Sequence, residues 1–502
     1  MSINNFFRDL GSGITSVFKG QTKEDNLFEL NGRTPLLKAI PFGIQHVLAM
    51  FAANVTPIII VFSAIGLYGT SFATYAMSGA LFMAGIGTII QLLIGARLPI
   101  VIGTSFTFVP ILINIGLKAG GGSDAYYTIM GAIIVGGLIA AFLSIFYRFW
   151  GKLIKPIVPA IVVLAIGFSL LSSGASQFMG GANVIKGVIE TGTTPNNVPY
   201  YAYILVAFAT LISAILWQLF VKGVWKNIYI FIGIAVGYII SICIPNMVDF
   251  SILKIDTANL LGSKGIFSFP KFLDFTQLKF DGTSIALTTI CFIIAIVEAI
   301  GDISALTSAG LSREPTKREY IGTLIFDGLN SSFGALFGAL PLTTFAQNVG
   351  IVAQTKVVNR FTIFTGALFL VIVSLFPPIA NFIYTIPDAV IGGTMVILFG
   401  SIAIIGMKEI SQIGFSDKNI LLLSITTCLG FGLSIASIST NNGVHFITEI
   451  FDKIGVGWLG ELLSNCVLNM FIISIILSWV LPDSMHISFL HKKKNKENNN
   501  NQ

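Results

Sequence analysis

Three carboxylates in this sequence stand where carboxylates are expensive. Glu298, Asp302 and Asp327 lie well inside runs of apolar residues with no Lys or Arg at their depth, whereas Asp388 and Glu461 fall near the ends of such runs. A charge at the centre of a bilayer costs about 2.5 kcal/mol or more. An unpaired acid there calls for protonation or a bound ligand. Glu298 and Asp302 are four residues apart, so a helix puts them on one face. Two neighbouring carboxylates that cannot both ionise cheaply make a natural proton carrier. The plainer alternative for these acids, weaker for Glu298 than for Asp302 and Asp327, is permanent hydrogen bonding to hydroxyls and backbone of the broken segments, with no change of state.

Two other stretches look like broken helices. Leu98-Pro99 leads into Thr104-Ser105-Phe106, and Leu340-Pro341 leads into Thr343-Thr344-Phe345. Both are short, rich in Ser and Thr, and interrupted by Gly103 in one case and by Gly338 and Gly350 in the other. Irregular backbone at membrane depth survives only where protein or a cavity satisfies its amides. Such breaks at matching places in two halves of a chain point to a binding site near the midplane.

The elements that must position these groups follow from composition. Of 502 residues, 54% are hydrophobic and only 10% charged, and the mean hydropathy is +0.86, which excludes an ordinary soluble domain. Fourteen apolar spans are expected near 41–67, 71–96, 98–117, 125–147, 157–175, 199–221, 225–244, 284–307, 319–340, 342–356, 359–377, 384–407, 419–441 and 457–481. With both termini cytoplasmic, 22 of the 29 basic residues fall on the inside and seven outside, none within the bilayer. The charge of +6 therefore reads as membrane topology and not as a nucleic-acid footprint.

The longest external loops are expected at 176–198 and 245–283. The second separates two sets of seven spans, and an odd number per half inserts the halves with opposite orientation. The expectation is an all-α polytopic protein of the cell membrane, with cytoplasmic tails at 1–40 and 482–502. The first 40 residues lack the apolar stretch and cleavage site of a signal peptide. Cys243, Cys291, Cys428 and Cys466 form no CxxC and have no neighbouring histidine, which argues against disulfides and zinc. His445, His486 and His491 lie in or near polar ends, and no HExxH or GxSxG occurs, so neither an enzyme, a metal nor a cofactor is expected.

The stretch from Thr344 to Lys356, TFAQNVGIVAQTK, resembles the signature of the nucleobase-ascorbate transporter family, in which Gln or Glu precedes Asn-x-Gly-x4-Thr. Gln45-His46, Gly103-Thr104-Ser105-Phe106, Glu298-x3-Asp302 and Asp327-Gly328 are similar to further marks of that family, in the same order along residues 41 to 481. The resemblance implies two inverted seven-segment repeats, with short antiparallel strands and half-helices in segments 3 and 10. It also implies a core domain at 41–147 and 284–377, segments 1–4 and 8–11. A gate domain at 148–244 and 378–481, segments 5–7 and 12–14, would move against that core. Gate domains in that family are often dimeric, so a homodimer is part of the expectation.

A flat purine dione presents alternating N–H donors and carbonyl acceptors, so its site needs a carboxylate, a two-way amide and an apolar face. Glu298 and Gln347 supply the first two, the roles the resemblance also implies. Phe345 and Phe106 are the stacking candidates. Backbone N–H groups at the starts of the broken helices can donate to ligand carbonyls. Glu298, Asp302 and Asp327 are the candidates for proton coupling. His46, Asn348 and Thr355 are expected in supporting roles, Thr355 as a cap or packing group. The expected function is import of xanthine or uric acid by proton symport through alternating access, with sodium the weaker coupling ion. Within the resemblance, a uracil permease commonly carries glutamate at the place of Gln347. An anion carrier of similar architecture would be expected to put basic or neutral groups at the centre.

Overall fold

The computed structural model describes residues 12–13, 15–18, 22–194, 197–248, 267–436, 450–451 and 453–482. Residues 249–266 of the loop expected at 245–283, His445, His486, His491 and nearly all of the expected C-terminal tail lie outside the described residues.

The apolar runs become helices because each is long enough to close its own backbone hydrogen bonds, the only economical arrangement in lipid. In chain order they are α1 Leu36–Ala64, α2 Ser71–Leu93, α3 Val109–Lys118, α4 Gly122–Ile145, α5 Ile157–Phe178, α6 Ala182–Thr191, α7 Tyr200–Phe220, α8 Tyr229–Cys243, α9 Gly282–Leu311, α10 Lys317–Leu336, α11 Ala346–Thr355, α12 Arg360–Ser374, α13 Pro377–Tyr384, α14 Asp388–Ile413, α15 Asp417–Ala436, α16 Gly457–Ser464 and α17 Cys466–Val480. Two three-residue strands, β1 Ile102–Thr104 and β2 Leu342–Thr344, precede α3 and α11.

Among the described residues, eight helices are long and apolar enough to cross a membrane, or nine if α12 and α13, bent by 83° at their break, form one span. The rest of the fourteen expected segments fail that test for visible reasons in three cases. The third and tenth are interrupted by β1 and β2. The ninth, α10, buries Asp327, Asn330, Ser331 and Ser332. Helix α15 supplies the thirteenth, and α16 with α17 the fourteenth, broken where Asn465 caps α17 by accepting from the Leu468 N–H.

Differences from expectation are local. The first helix begins at Leu36, inside the expected tail, and α6 occupies part of the expected loop at 176–198. Helix α13 opens on the Pro377-Pro378 pair, where the rings lack the N–H groups that would continue α12.

The described chain divides into two units. The larger comprises Met1–Phe149 and Leu170–Gly400. Its interior gathers around the strand pair, with Met50, Phe62, Leu81, Leu98, Ile102 and Phe108 fully buried. There α4 and α10 cross at two glycines: a Cβ on Gly137 would lie 2.7 Å from the Gly328 carbonyl oxygen, and one on Gly328 equally close to that of Gly137. Gly328 thus serves close backbone packing. The smaller unit comprises Trp150–Ser169 and Ser401–Gln502. Within it Phe168 packs on Phe431 with centroids 5.2 Å apart, and the Trp479 indole N–H donates to the Leu153 carbonyl at 2.8 Å.

Candidate functional site

The two broken segments meet as a two-stranded antiparallel ribbon, with Ile102 opposite Thr344, Gly103 opposite Thr343 and Thr104 opposite Leu342. Backbone bonds extend it at both ends, from Ser105 N–H to the Pro341 carbonyl at 2.9 Å and from Phe345 N–H to the Val101 carbonyl at 3.0 Å. Strands this short cannot hold themselves. Buried side chains from the surrounding helices complete their hydrogen bonding.

On the β1 side, Asn54 Oδ1 of α1 accepts the Thr104 N–H and hydroxyl, each at 2.7 Å, and Thr88 Oγ1 of α2 accepts the Ile102 N–H at 2.9 Å. On the β2 side, Asp327 Oδ2 of α10 accepts the Thr344 N–H at 3.2 Å and its hydroxyl at 3.0 Å. Asp327 Oδ1 accepts from Gln91 Nε2 at 2.9 Å, and Ser331 Oγ donates to the Leu342 carbonyl at 2.8 Å while accepting that residue's N–H at 3.0 Å. Each strand is thus pinned by two polar side chains of its own half of the chain, Asn54 and Thr88 for β1, Asp327 and Ser331 for β2.

Beyond the ribbon each segment turns into a helix. A 3-10 turn, Phe106–Phe108, leads into α3, and β2 leads through Phe345 into α11. Neither start is capped by a side chain, and each presents the positive end of a helix dipole; in the first turn of α11 the Asn348 N–H donates to the Phe345 carbonyl at 3.1 Å. Gln347 is the second residue of α11 and is half-buried. Helix α9, which carries Glu298, packs against α11, β2, α3 and the 3-10 turn. The Thr107 hydroxyl, 1% exposed, donates to Glu298 Oε2 at 2.8 Å. Asp302 lies one turn further along α9 and is buried.

The aromatic candidates line the same region. A Cβ on Gly103 would stand 2.6 Å from Cδ2 of Phe345, so the glycine makes room for that ring over the ribbon. Phe106 meets Phe399 edge-to-face, with centroids 5.2 Å apart. Asn348 Nδ2 lies 3.1 Å from His46 Nδ1 and 3.4 Å from the His46 carbonyl oxygen. The direction of the ring contact follows the His46 tautomer. Thr355 sits at the far end of α11, where its hydroxyl donates to the Ile351 carbonyl at 2.9 Å.

Residues 37–439 match the Permease family model Xan_ur_permease. The chain belongs to the Permease family. This permease is 34% identical over 471 residues to the xanthine permease XanQ of Escherichia coli K12, covering 91% of this chain and 94% of that one. It is 31% identical to the uric acid permease PucK of Bacillus subtilis 168, covering 79% and 87% of the two chains. Its fold is similar to murine Slc26a9, an anion transporter in its inward-facing state, at a TM-score of 0.53 and 13% identity over 91% of this chain and 71% of that one. The permease is accordingly a multi-pass membrane protein whose fourteen segments form two inverted sets of seven.

Of the residues singled out in the sequence, Phe106, Phe345, Gln347 and Asn348 lie in the two broken segments, Glu298, Asp327 and His46 hydrogen-bond to them, and Asp302 is buried one turn along α9 from Glu298. Thr355 is set apart at the far end of α11. Asn54, Thr88, Gln91, Thr107 and Ser331 were missed. For Thr107 a signal existed, since it directly follows Phe106 in a motif already singled out. The others are single polar residues in apolar helices, each with many roles open to it.

Proposed function

We propose that this permease carries a purine nucleobase, xanthine or uric acid, inward across the plasma membrane by proton symport, with both termini cytoplasmic. The observation that carries the reading is Glu298, a half-buried carboxylate held by Thr107 on a helix packed against two half-helix starts with no side-chain cap. A carboxylate accepts purine N–H groups, uncapped N–H groups and Gln347 meet its carbonyls, and Phe345 or Phe106 covers its face. Glu298 and Asp302, on one face of α9, are the proposed proton-coupling pair. Asp327, with both oxygens bonded, holds β2 in place.

Alternating access would move the core, segments 1–4 and 8–11, against the gate, segments 5–7 and 12–14. Kinship in fold with an anion transporter raises a second reading, but a permanently anionic cargo beside Glu298 would meet like charge. The test is uptake of labelled xanthine with uric acid, guanine and uracil as competitors, with and without a protonophore. Competition by the purines and collapse on proton leak are expected. Uptake of uracil alone, or sodium-driven uptake that resists the protonophore, would refute the reading.

A further inference from the structure

We propose that the described residues 12–13, 15–18 and 22–33 act as a clasp that positions the half-helix α11, and that Arg360 is its central positioning residue. Arg360 is a charge in an expensive place. Arg360 opens α12 and is only 2% exposed, yet none of its partners among the described residues is an acid. Nη1 donates to the Leu92 carbonyl at the end of α2, at 2.9 Å. Nη2 donates to Ser16 Oγ at 2.7 Å and to Asn31 Oδ1. Burying an ion without a counter-ion is costly. The planar fork offsets that cost by holding three pieces of chain at once, the end of α2, the start of α12 and the segment before α1.

The same segment grips the loop between α11 and α12. The Val358 N–H donates to the Leu27 carbonyl at 3.1 Å and the Arg360 N–H to the Leu30 carbonyl at 3.2 Å. Asn359, fully buried, donates through Nδ2 to the carbonyls of Glu29 at 3.2 Å and Gly32 at 3.0 Å, while its Oδ1 caps α12. The Gly32 N–H returns to the Ser16 carbonyl at 3.2 Å, and Phe18 packs edge-to-face on Phe361 and Phe364. Gly13 lies so close to the end of α2 that a Cβ there would come within 2.0 Å of the Leu93 carbonyl oxygen.

These contacts meet α11 where it stops. Lys356, its C-cap, has φ of 57°, and its ammonium donates to the Ala309 carbonyl at the end of α9, at 2.7 Å. A ten-residue helix is a rod roughly 15 Å long, so fixing its far end fixes the direction of its first turn, which carries Gln347. The clasp itself rests only on these contacts; its effect on transport rests on the proposed site.

Val352 gives a readout independent of cargo. It is fully buried, with Cγ1 only 2.9 Å from where a Cβ on Gly310 of α9 would stand. In a background with the four cysteines replaced by alanine, Val352→Cys should react slowly with N-ethylmaleimide. Adding Arg360→Gln should speed the reaction about fivefold or more as α11 loosens. The same substitution should raise the KM for xanthine about tenfold, with Vmax per inserted transporter nearly kept. Arg360→Lys, which keeps the charge without the fork, should restore only part of either effect. Should Arg360→Gln not accumulate, the double variant Ser16→Ala with Asn31→Ala removes both clasp-side acceptors and should move both readouts the same way. Unchanged labelling and KM in an accumulating variant would overturn the clasp. Faster labelling with unchanged KM would leave it standing and contradict instead the placement of substrate on α11.

Discussion

The Thr107 hydroxyl donates to Glu298 Oε2 at 2.8 Å, joining the third segment to the eighth at the one carboxylate proposed to read the base. The bond orients the carboxylate. It also marks where the two halves of the chain become one site.

Removing that donor should loosen the carboxylate without changing its charge. Thr107→Val keeps shape, and a hydrogen bond to a charged group contributes about 1.5–3 kcal/mol. Xanthine affinity should therefore fall by about 10- to 150-fold, while Thr107→Ser stays near wild type. Equilibrium binding to the purified variants checks this, and equal behaviour of the two would exclude the hydroxyl as the cause.

Asp327 is expected to matter for the ribbon more than for the proton. Asp327→Asn replaces one acceptor oxygen by a donor that must face Gln91 or the Thr344 N–H, leaving a buried group unpaired at about 1–3 kcal/mol. Thermal stability of the detergent-solubilised protein should drop even without substrate. A variant as stable as wild type that loses only proton-driven accumulation would return Asp327 to the coupling group.

The contrast between Asp327 and Glu298 shows how far the sequence could be read. Apolar length announced the spans, and Pro99, Gly103, Gly338 and Pro341 announced the breaks, whereas Gly350 lies within the continuous α11. Both acids were visible because a carboxylate in an apolar run has few cheap explanations. Their difference was not, since it depends on Thr344 and Gln91 coming from elsewhere in the chain to occupy one of them. Asn54, Thr88 and Ser331 stayed hidden because one small polar residue in a helix usually bonds its own backbone. The segment at 22–33 was equally silent, as it docks largely through backbone hydrogen bonds that leave no periodic trace.

Gln347 offers both donor and acceptor, whereas an ionised Glu offers acceptors alone. Gln347→Glu should weaken purine dione transport and move the competition profile toward ligands richer in N–H donors. An unchanged profile at normal surface expression would mean that Gln347 does not read the base.

Glu298→Gln keeps its volume and most of its hydrogen bonding but removes the titratable proton and the anionic acceptor. Equilibrium binding of xanthine to the purified variant, beside its uphill uptake in vesicles, is the most direct measurement. Binding weaker by about 10- to 150-fold, equivalent to roughly 1.5–3 kcal/mol, with uphill uptake abolished, is the predicted result. Near-normal binding and accumulation in Glu298→Gln would contradict it.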